Sequence, residues 1–263
     1  MLSPRFTYFT RFAVTAAALA VLAGCADRPP ADDPEAVAAY NEVNDPFEPA
    51  NRFIFRSNDF AYRNVLHPLA TGYRDVVPDL GRQMVANVLG NLKVPVIFLN
   101  QILQANFTGA GQSLSRLVLN TSFGVGGLMD VAAPLGIPRR DADFGQTLAV
   151  WGAGEGPYLV LPLLGGSNPR DAAGLLVDSF ADPLDDYLDS NHLMWVAETR
   201  FGISVLSLLD ANIDAIDDIK RSSIDYYASM RSLVRQRRAA EINEAGKPTV
   251  GWVHFMPHLQ WNL

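Results

Sequence analysis

Residues 47–67 carry apolar side chains around most of a helix. Placed at about 100° per residue, Arg52, Arg56, Asp59 and Arg63 fall on one narrow stripe, while Phe53, Ile54, Phe55, Phe60, Ala61, Tyr62, Val65 and Leu66 fill most of the remaining circumference. A surface helix of a globular protein shows one apolar stripe little wider than about 100°. This segment therefore needs apolar surroundings on more than one side. Two settings supply them: the centre of a protein core, or a site packed on protein on one side and on acyl chains on another. In the second setting Phe53, Ile54, Phe55 and Phe60 are the lipid contacts, shielded from water but not all by protein.

No segment beyond Cys25 reaches about eighteen uninterrupted apolar residues, so no single helix is expected to span a bilayer. Yet 94–103, VPVIFLNQIL, and 158–164, YLVLPLL, are apolar and interrupted by proline. Between them lies SFGVGGLMDVAAPLG. A lipid-facing loop leaves backbone amides without partners, so this stretch is expected as a protein-shielded turn or hairpin, or as a cavity wall. Gly124, Gly126, Gly127 and Met129 are the hairpin or gate candidates. Glycine beside bulky apolar residues suits a pliable wall; it also suits close helix packing.

Helices are further predicted over 78–92, 96–106, 109–121, 169–179 and 193–210, with Pro78, Pro95 and Pro169 in the first-turn positions where proline is tolerated. Residues 214–240 predict an amphipathic helix: Ile216, Ile219, Tyr226, Tyr227, Met230, Leu233 and Val234 share a face opposite Asp217, Arg221, Asp225, Arg231, Ser232 and Arg235. Alternating runs are confined to short pieces and there is no internal repeat, so the periodicity reads as mainly helical.

The N-terminus carries its own signal. Arg5 and Arg11 precede an apolar stretch, Phe12 to Leu22, which ends in small residues. Basic start, apolar middle and small residues at the cut describe a secretory signal. Its middle is too short for the roughly 30 Å bilayer core. Cys25 is the single cysteine of the chain and has no intrachain disulfide partner. Leu22-Ala23-Gly24-Cys25 resembles a bacterial lipobox, which implies cleavage before Cys25 and a lipid anchor on it. Each buried acyl methylene adds about 0.8 kcal/mol, and a second chain makes anchoring stable. Ala26, where retained proteobacterial lipoproteins carry Asp, favours the outer membrane by the same resemblance. Residues 1–24 are thus read as the signal, and 25–43, with the polar, proline-rich ADRPPADDPE, as a tether.

Charge and motifs narrow the function. The net charge of the 263 residues is −7, and loss of two arginines with the signal leaves the remainder more acidic still. That argues against a nucleic-acid partner. There is no Gly-x-Ser-x-Gly elbow, no His-Glu-x-x-His and no Walker loop, and no cofactor or metal site is nominated. His254 and His258 are separated by Pro257, which breaks any helix that would co-orient them. Asp210, Asp214, Asp217 and Asp218 lack calcium-loop spacing and read as a solvated helix face. Arg235, Arg237 and Arg238 sit near the predicted helix end, where cations complement the dipole; a lipid headgroup or an acidic partner is the alternative.

NDPFEPANR at 44–52 resembles a motif of the MlaA (VacJ) family of outer-membrane lipoproteins. GYRDVVP (72–78), NVLGNLKVPVIFLNQILQ (87–104), RLVLNTSFGVGGLMDVA (116–132) and FGQTLAVWGAGEGPYLVLPLLGGSNPRDAAG (144–174) are similar to further family blocks, in family order. Ala50 stands where members often carry an aromatic. The resemblance implies an all-α domain at 44–240, a monotopic ring in the membrane with a central amphipathic channel, followed by a tail at 241–263. It further implies phospholipid transport: lipids stranded in the outer leaflet of the outer membrane pass through the channel to a periplasmic phospholipid-carrier protein, while porin trimers hold the ring. The protein would be lipid-anchored on the periplasmic side, and not an enzyme. Two other readings are a structural porin-associated lipoprotein and a lipid hydrolase; the second needs a nucleophile and a base that the sequence does not nominate.

Overall fold

The phenylalanine-rich segment folds as α1 (Glu48–Ala61), passes through one π-helical turn (Tyr62–Leu66) and continues as α2 (His67–Val76). The structure is a computed structural model and describes Val43 and residues 45–245. Cys25, the signal, the tether except Val43, and the tail beyond residue 245 with both His254 and His258 lie outside the described residues. The helix expected to stop near residue 67 thus runs on to Val76. Pro68 supplies no N–H to the ladder. The wider turn accommodates this, because His67 N–H bonds Tyr62 O, five residues back.

Pro95 does not separate two helices. Residues 79–103 form one 25-residue helix, α3 (Asp79–Leu103), with Pro95 inside it. An interior proline costs an isolated helix about 3 kcal/mol or more; extensive packing of α3 on α4 (Phe107–Ser122) offsets that here. By length and composition alone α3 is apolar enough to cross a membrane, a test that the core helix of a protein also passes. Three of its polar side chains, Asn91, Asn100 and Gln101, are buried against the rest of the protein.

The chain continues through α5 (Phe144–Val150), a hairpin of β1 (Leu159–Leu161) and β2 (Gly165–Ser167), α6 (Pro169–Ala181), α7 (Pro183–Ser190), α8 (Met194–Ser222) and α9 (Tyr226–Glu244). The strands pair antiparallel with Val160 opposite Gly166. The architecture is helical, with this short hairpin as its one sheet among the described residues. The break predicted between 210 and 214 falls instead at Ser223–Asp225, where the Asp225 carboxylate accepts from Ala228 N–H as an N-cap. Helix α9 extends to Glu244, so Arg235, Arg237 and Arg238 are not in its last turn.

Two asparagines about two helical turns apart on α1 hold the hairpin. Asn51 donates to Tyr158 O (3.0 Å) and accepts from Val160 N–H (2.9 Å). Asn58 donates to Leu161 O and accepts from Leu163 N–H, each at 2.9 Å. Their amides replace a third strand on the free edge of β1. Asn51 also donates to Asp45 (2.8 Å), whose buried carboxylate takes a second bond from Arg231 (2.7 Å) and a third from the Tyr227 hydroxyl. Around this knot Tyr158, Val160 and Tyr227 form a small apolar cluster. Helices α2 and α8 are joined by charge: Arg74 binds Asp210 and Asp214, and His67 binds Asp217. The acids read as a solvated face are therefore largely ion-paired. Contacts α3–α8, α8–α9, α9–α5 and α5–α3 close a circuit.

Replacement of Asn51 by Ala strands Val160 N–H, Tyr158 O and part of Asp45 in a buried site. At about 1–3 kcal/mol per unsatisfied group, the loss should be at least about 3 kcal/mol in chemical denaturation. A denaturation midpoint equal to wild type would contradict this role.

Candidate functional site

The distribution of polarity is inverted. Helix α4 buries Ser113, Arg116 and Asn120, spaced for one face, and exposes Phe107, Leu114 and Val118 on the other. Helix α3 buries Asn91, Asn100 and Gln101 and exposes Leu80, Leu99 and Ile102. Among the described residues the buried polar and charged side chains outnumber the buried apolar ones, which are mostly Ala and Tyr. Large apolar residues are exposed on almost every helix, including Trp195, Phe201 and Leu208 on α8. Monomeric water-soluble proteins rarely expose contiguous apolar patches beyond a few hundred Å², and larger ones mark membrane or protein contacts.

The four aromatic and aliphatic candidates on α1 divide into pairs. Phe53 (64% exposed) and Phe60 (63%) point outward. Ile54 and Phe55 pack against the Tyr158–Val160–Tyr227 cluster, with the Phe55 ring 5.0 Å from Tyr226 and 5.4 Å from Tyr227.

The glycine-rich stretch is a tight turn after α4. Gly126 N–H bonds Thr121 O, Gly127 N–H bonds Asn120 O and Met129 N–H bonds Gly124 O. Gly126 and Gly127 have φ of +69° and +96°, values that favour glycine. At Gly124 a methyl group would meet the Met129 and Asn120 carbonyl oxygens at 2.2 and 2.4 Å. Met129 is exposed, as are Phe123, Val125 and Leu128 around it. The turn therefore satisfies its own backbone while presenting apolar side chains outward.

A cavity of about 390 Å³ opens between the hairpin, α6 and α9, within the range of small-molecule sites of about 300–1,000 Å³. Tyr158, Leu161, Leu164, Leu175 and Val234 supply apolar wall. The rest is charged and centred on Arg238. Its guanidinium reaches Asp143 (2.7 Å), Asp171 (2.9 Å) and Glu241 (3.1 Å). Burial works against the Arg238 charge, but the bonds to Asp143 and Asp171 outweigh it and raise its pKa. Burial likewise opposes ionisation of Asp171, and bonds from Arg238 and Arg170 win, holding its pKa below the usual carboxylate range. Asp178 goes the other way: burial pushes it up against bonds from Phe144 N–H and Asn100. Asn100 in turn accepts from the Thr147 hydroxyl (2.8 Å), which accepts from Gln104 (3.0 Å). The sequence reading missed this polar chain, although Asn100 and Gln104 stood as polar residues inside an apolar helix.

The His67 ring has Asp217 as partner at 3.1 Å and the Tyr62 ring beside it; the Thr71 hydroxyl bonds the His67 carbonyl, not the ring. No group of three metal-ligating side chains occurs among the described residues.

Arg238→Ala leaves Asp143 and Asp171 facing each other without their cation and should cost about 3 kcal/mol at pH 7. The Asp171 pKa is lowered in the fold, so the wild type holds this contribution above about pH 4, the unfolded value, and loses it as pH falls further. Urea midpoints of the two proteins should therefore converge between pH 7 and 3. A constant difference would contradict the ion-pair account.

Comparison with known proteins adds to this geometry. Residues 43–241 match the MlaA lipoprotein family. An uncharacterised protein of Rickettsia bellii is 36% identical over 206 residues, 76% of this chain and 78% of its own length. The intermembrane phospholipid transport system lipoprotein MlaA of Escherichia coli is 32% identical over 203 residues, 74% of this chain and 76% of its own. The protein of that name from Haemophilus influenzae is 29% identical over 227 residues, covering 85% and 86%. A chain solved in work on the structural basis for maintenance of bacterial outer membrane lipid asymmetry superposes with a TM-score of 0.65 at 30% identity, over 76% of this chain and 99% of that one. The match spans every described helix from α1 to most of α9, and this chain belongs to the MlaA lipoprotein family.

Proposed function

We propose that this chain is a lipid-anchored protein on the periplasmic side of the outer membrane that removes phospholipids from the outer leaflet. It passes them to a soluble periplasmic carrier, and porin trimers hold it in place. The observation that carries this reading is the inverted polarity: an apolar exterior on α1, α3, α4 and α8 around a polar interior. A protein seated in one leaflet needs the first, and a path for charged headgroups needs the second. The closed circuit of helix contacts supports a ring, and the cavity beside Arg238 supplies both apolar wall and charge for an amphiphile. The names of the bacterial relatives point the same way.

Cys25 is the anchor in this account, and the turn at 124–129 is the candidate gate. Gly126 is where gate and packing separate, because an added methyl meets open space there and only the positive φ is strained. That strain is about 1 kcal/mol.

The test uses cells lacking the chain, with outer-leaflet phosphatidylethanolamine labelled by a membrane-impermeant amine reagent. Outer-leaflet lipid should rise in its absence and return to baseline with the wild type. Cys25→Ala should neither incorporate labelled fatty acid nor restore the baseline. Gly126→Ala should melt within a few degrees of wild type yet change outer-leaflet lipid; an effect that only tracks stability removes the gate. Unchanged lipid distribution in cells without the chain would overturn the transport reading.

A further inference from the structure

A second, smaller pocket lies between α3, α4 and the loop that leads to α5. It holds about 30 Å³ and is lined by Asn91, Arg116, Asn120, Asp130, Arg139 and Arg140 among others. Three arginines face one aspartate there, in a chain whose net charge is −7. That aspartate is already occupied. Asp130 accepts from Arg116 (2.6 Å), from Asn120 (3.1 Å) and from Ala133 N–H (3.2 Å). Arg116 spends its other amine on Ile137 O (2.6 Å). The other two arginines are less closely matched. Arg139 approaches only Asp141, at 3.6 Å, with both side chains more than half exposed. Arg140 has no acid partner among the described residues.

The pocket is also shaped for these groups. A Cβ on Gly90 would lie 2.9 Å from Arg139 Nη1 and 3.2 Å from its Cζ, so the guanidinium rests in the notch that this glycine leaves in α3. On the same pocket the Arg140 Nε–H, a donor, is buried without a hydrogen-bond partner. The wall continues into the apolar turn: Asn87, also on the pocket, donates to Leu128 O at 3.1 Å. Phe123, Val125, Leu128, Met129 and Leu135 are exposed along the loop that follows. Guanidinium charge that is at most loosely paired thus sits next to a surface suited to acyl chains.

We infer that this pocket binds the phosphate group of a phospholipid, with the acyl chains lying over the apolar turn at 123–135. The volume admits one phosphate oxygen, about the size of a water. The remainder of the group sits at the mouth, where Arg139 and Arg140 neutralise it through charge-assisted bonds. The bound lipid is the one that the transport reading supplies, and the inference rests on that reading for its ligand.

The test uses the full chain purified in detergent and short-chain dihexanoylphosphatidylglycerol, with binding measured by calorimetry. The double variant Arg139→Gln/Arg140→Gln should bind at least ~10-fold more weakly than wild type, the loss expected for charge-assisted bonds, with an unchanged Tm. The double Arg→Lys variant, which keeps the charge, should retain most of the binding. Gly90→Ala, which displaces Arg139, should weaken it; these two variants decide the matter if the Gln pair unfolds. Equal affinity in wild type and all variants overturns the site. Inorganic phosphate that competes as well as the lipid shows a free-phosphate site and overturns the lipid assignment. Failure of transport is read separately. A chain that restores outer-leaflet asymmetry in cells but binds without these arginines removes the site alone. A chain that binds through them but restores nothing removes transport alone.

Discussion

Most buried polar side chains in this protein are held by other protein groups, while large apolar side chains lie exposed on α1, α3, α4 and α8. That arrangement organises the structure. Asn51 serves two backbone groups of the hairpin and the Asp45 carboxylate at once. Arg238 is clamped between two aspartates, and Asn100, Thr147 and Gln104 form a continuous chain of bonds. An unpaired buried group costs about 1–3 kcal/mol, and more if charged, so loss of one member threatens several elements together. Stability rests less on an aliphatic core, which is small here, than on a connected polar interior.

The same arrangement links fold to function. A helix such as α4, with Arg116 and Asn120 inside and Leu114 and Val118 outside, is the reverse of a water-soluble surface helix. It suits a setting where lipid surrounds the protein and polar groups lie within. The cavity at Arg238 and the pocket at Arg139 then differ in character. In the first, the arginine is held closely by its own acids; in the second, Arg139 has only a longer contact with Asp141, at 3.6 Å.

Much of this was legible in the residues. The unusual α1 is legible because its apolar residues fill more than one face, and the motif at 44–52 contains the Asn51 that organises the hairpin. Other features were not, for physical reasons. Pro95 reads as a helix start by local rules, whereas packing on α4 carries the helix through it. The apolar phase of Ile216 and Ile219 continues into Tyr226 and Tyr227, so periodicity alone passes over the break; Asp225 was the cap that marked it. Short helices such as α5 and α7 contain too few turns to show a period. The long-range pairs, such as Arg238 with Asp143, join residues far apart in the chain and leave no local pattern.

The direct test of the central claim is the environment of the two faces of α4 in a bilayer. Spin labels at Leu114 and Val118, compared with labels at Ser113 and Asn120, should report which face meets acyl chains. Power saturation with oxygen and with a water-soluble nickel chelate reads the difference. The account predicts high oxygen and low nickel accessibility at Leu114 and Val118, and low accessibility to both at Ser113 and Asn120. High nickel accessibility at Leu114 and Val118 would place the apolar face in water and contradict it.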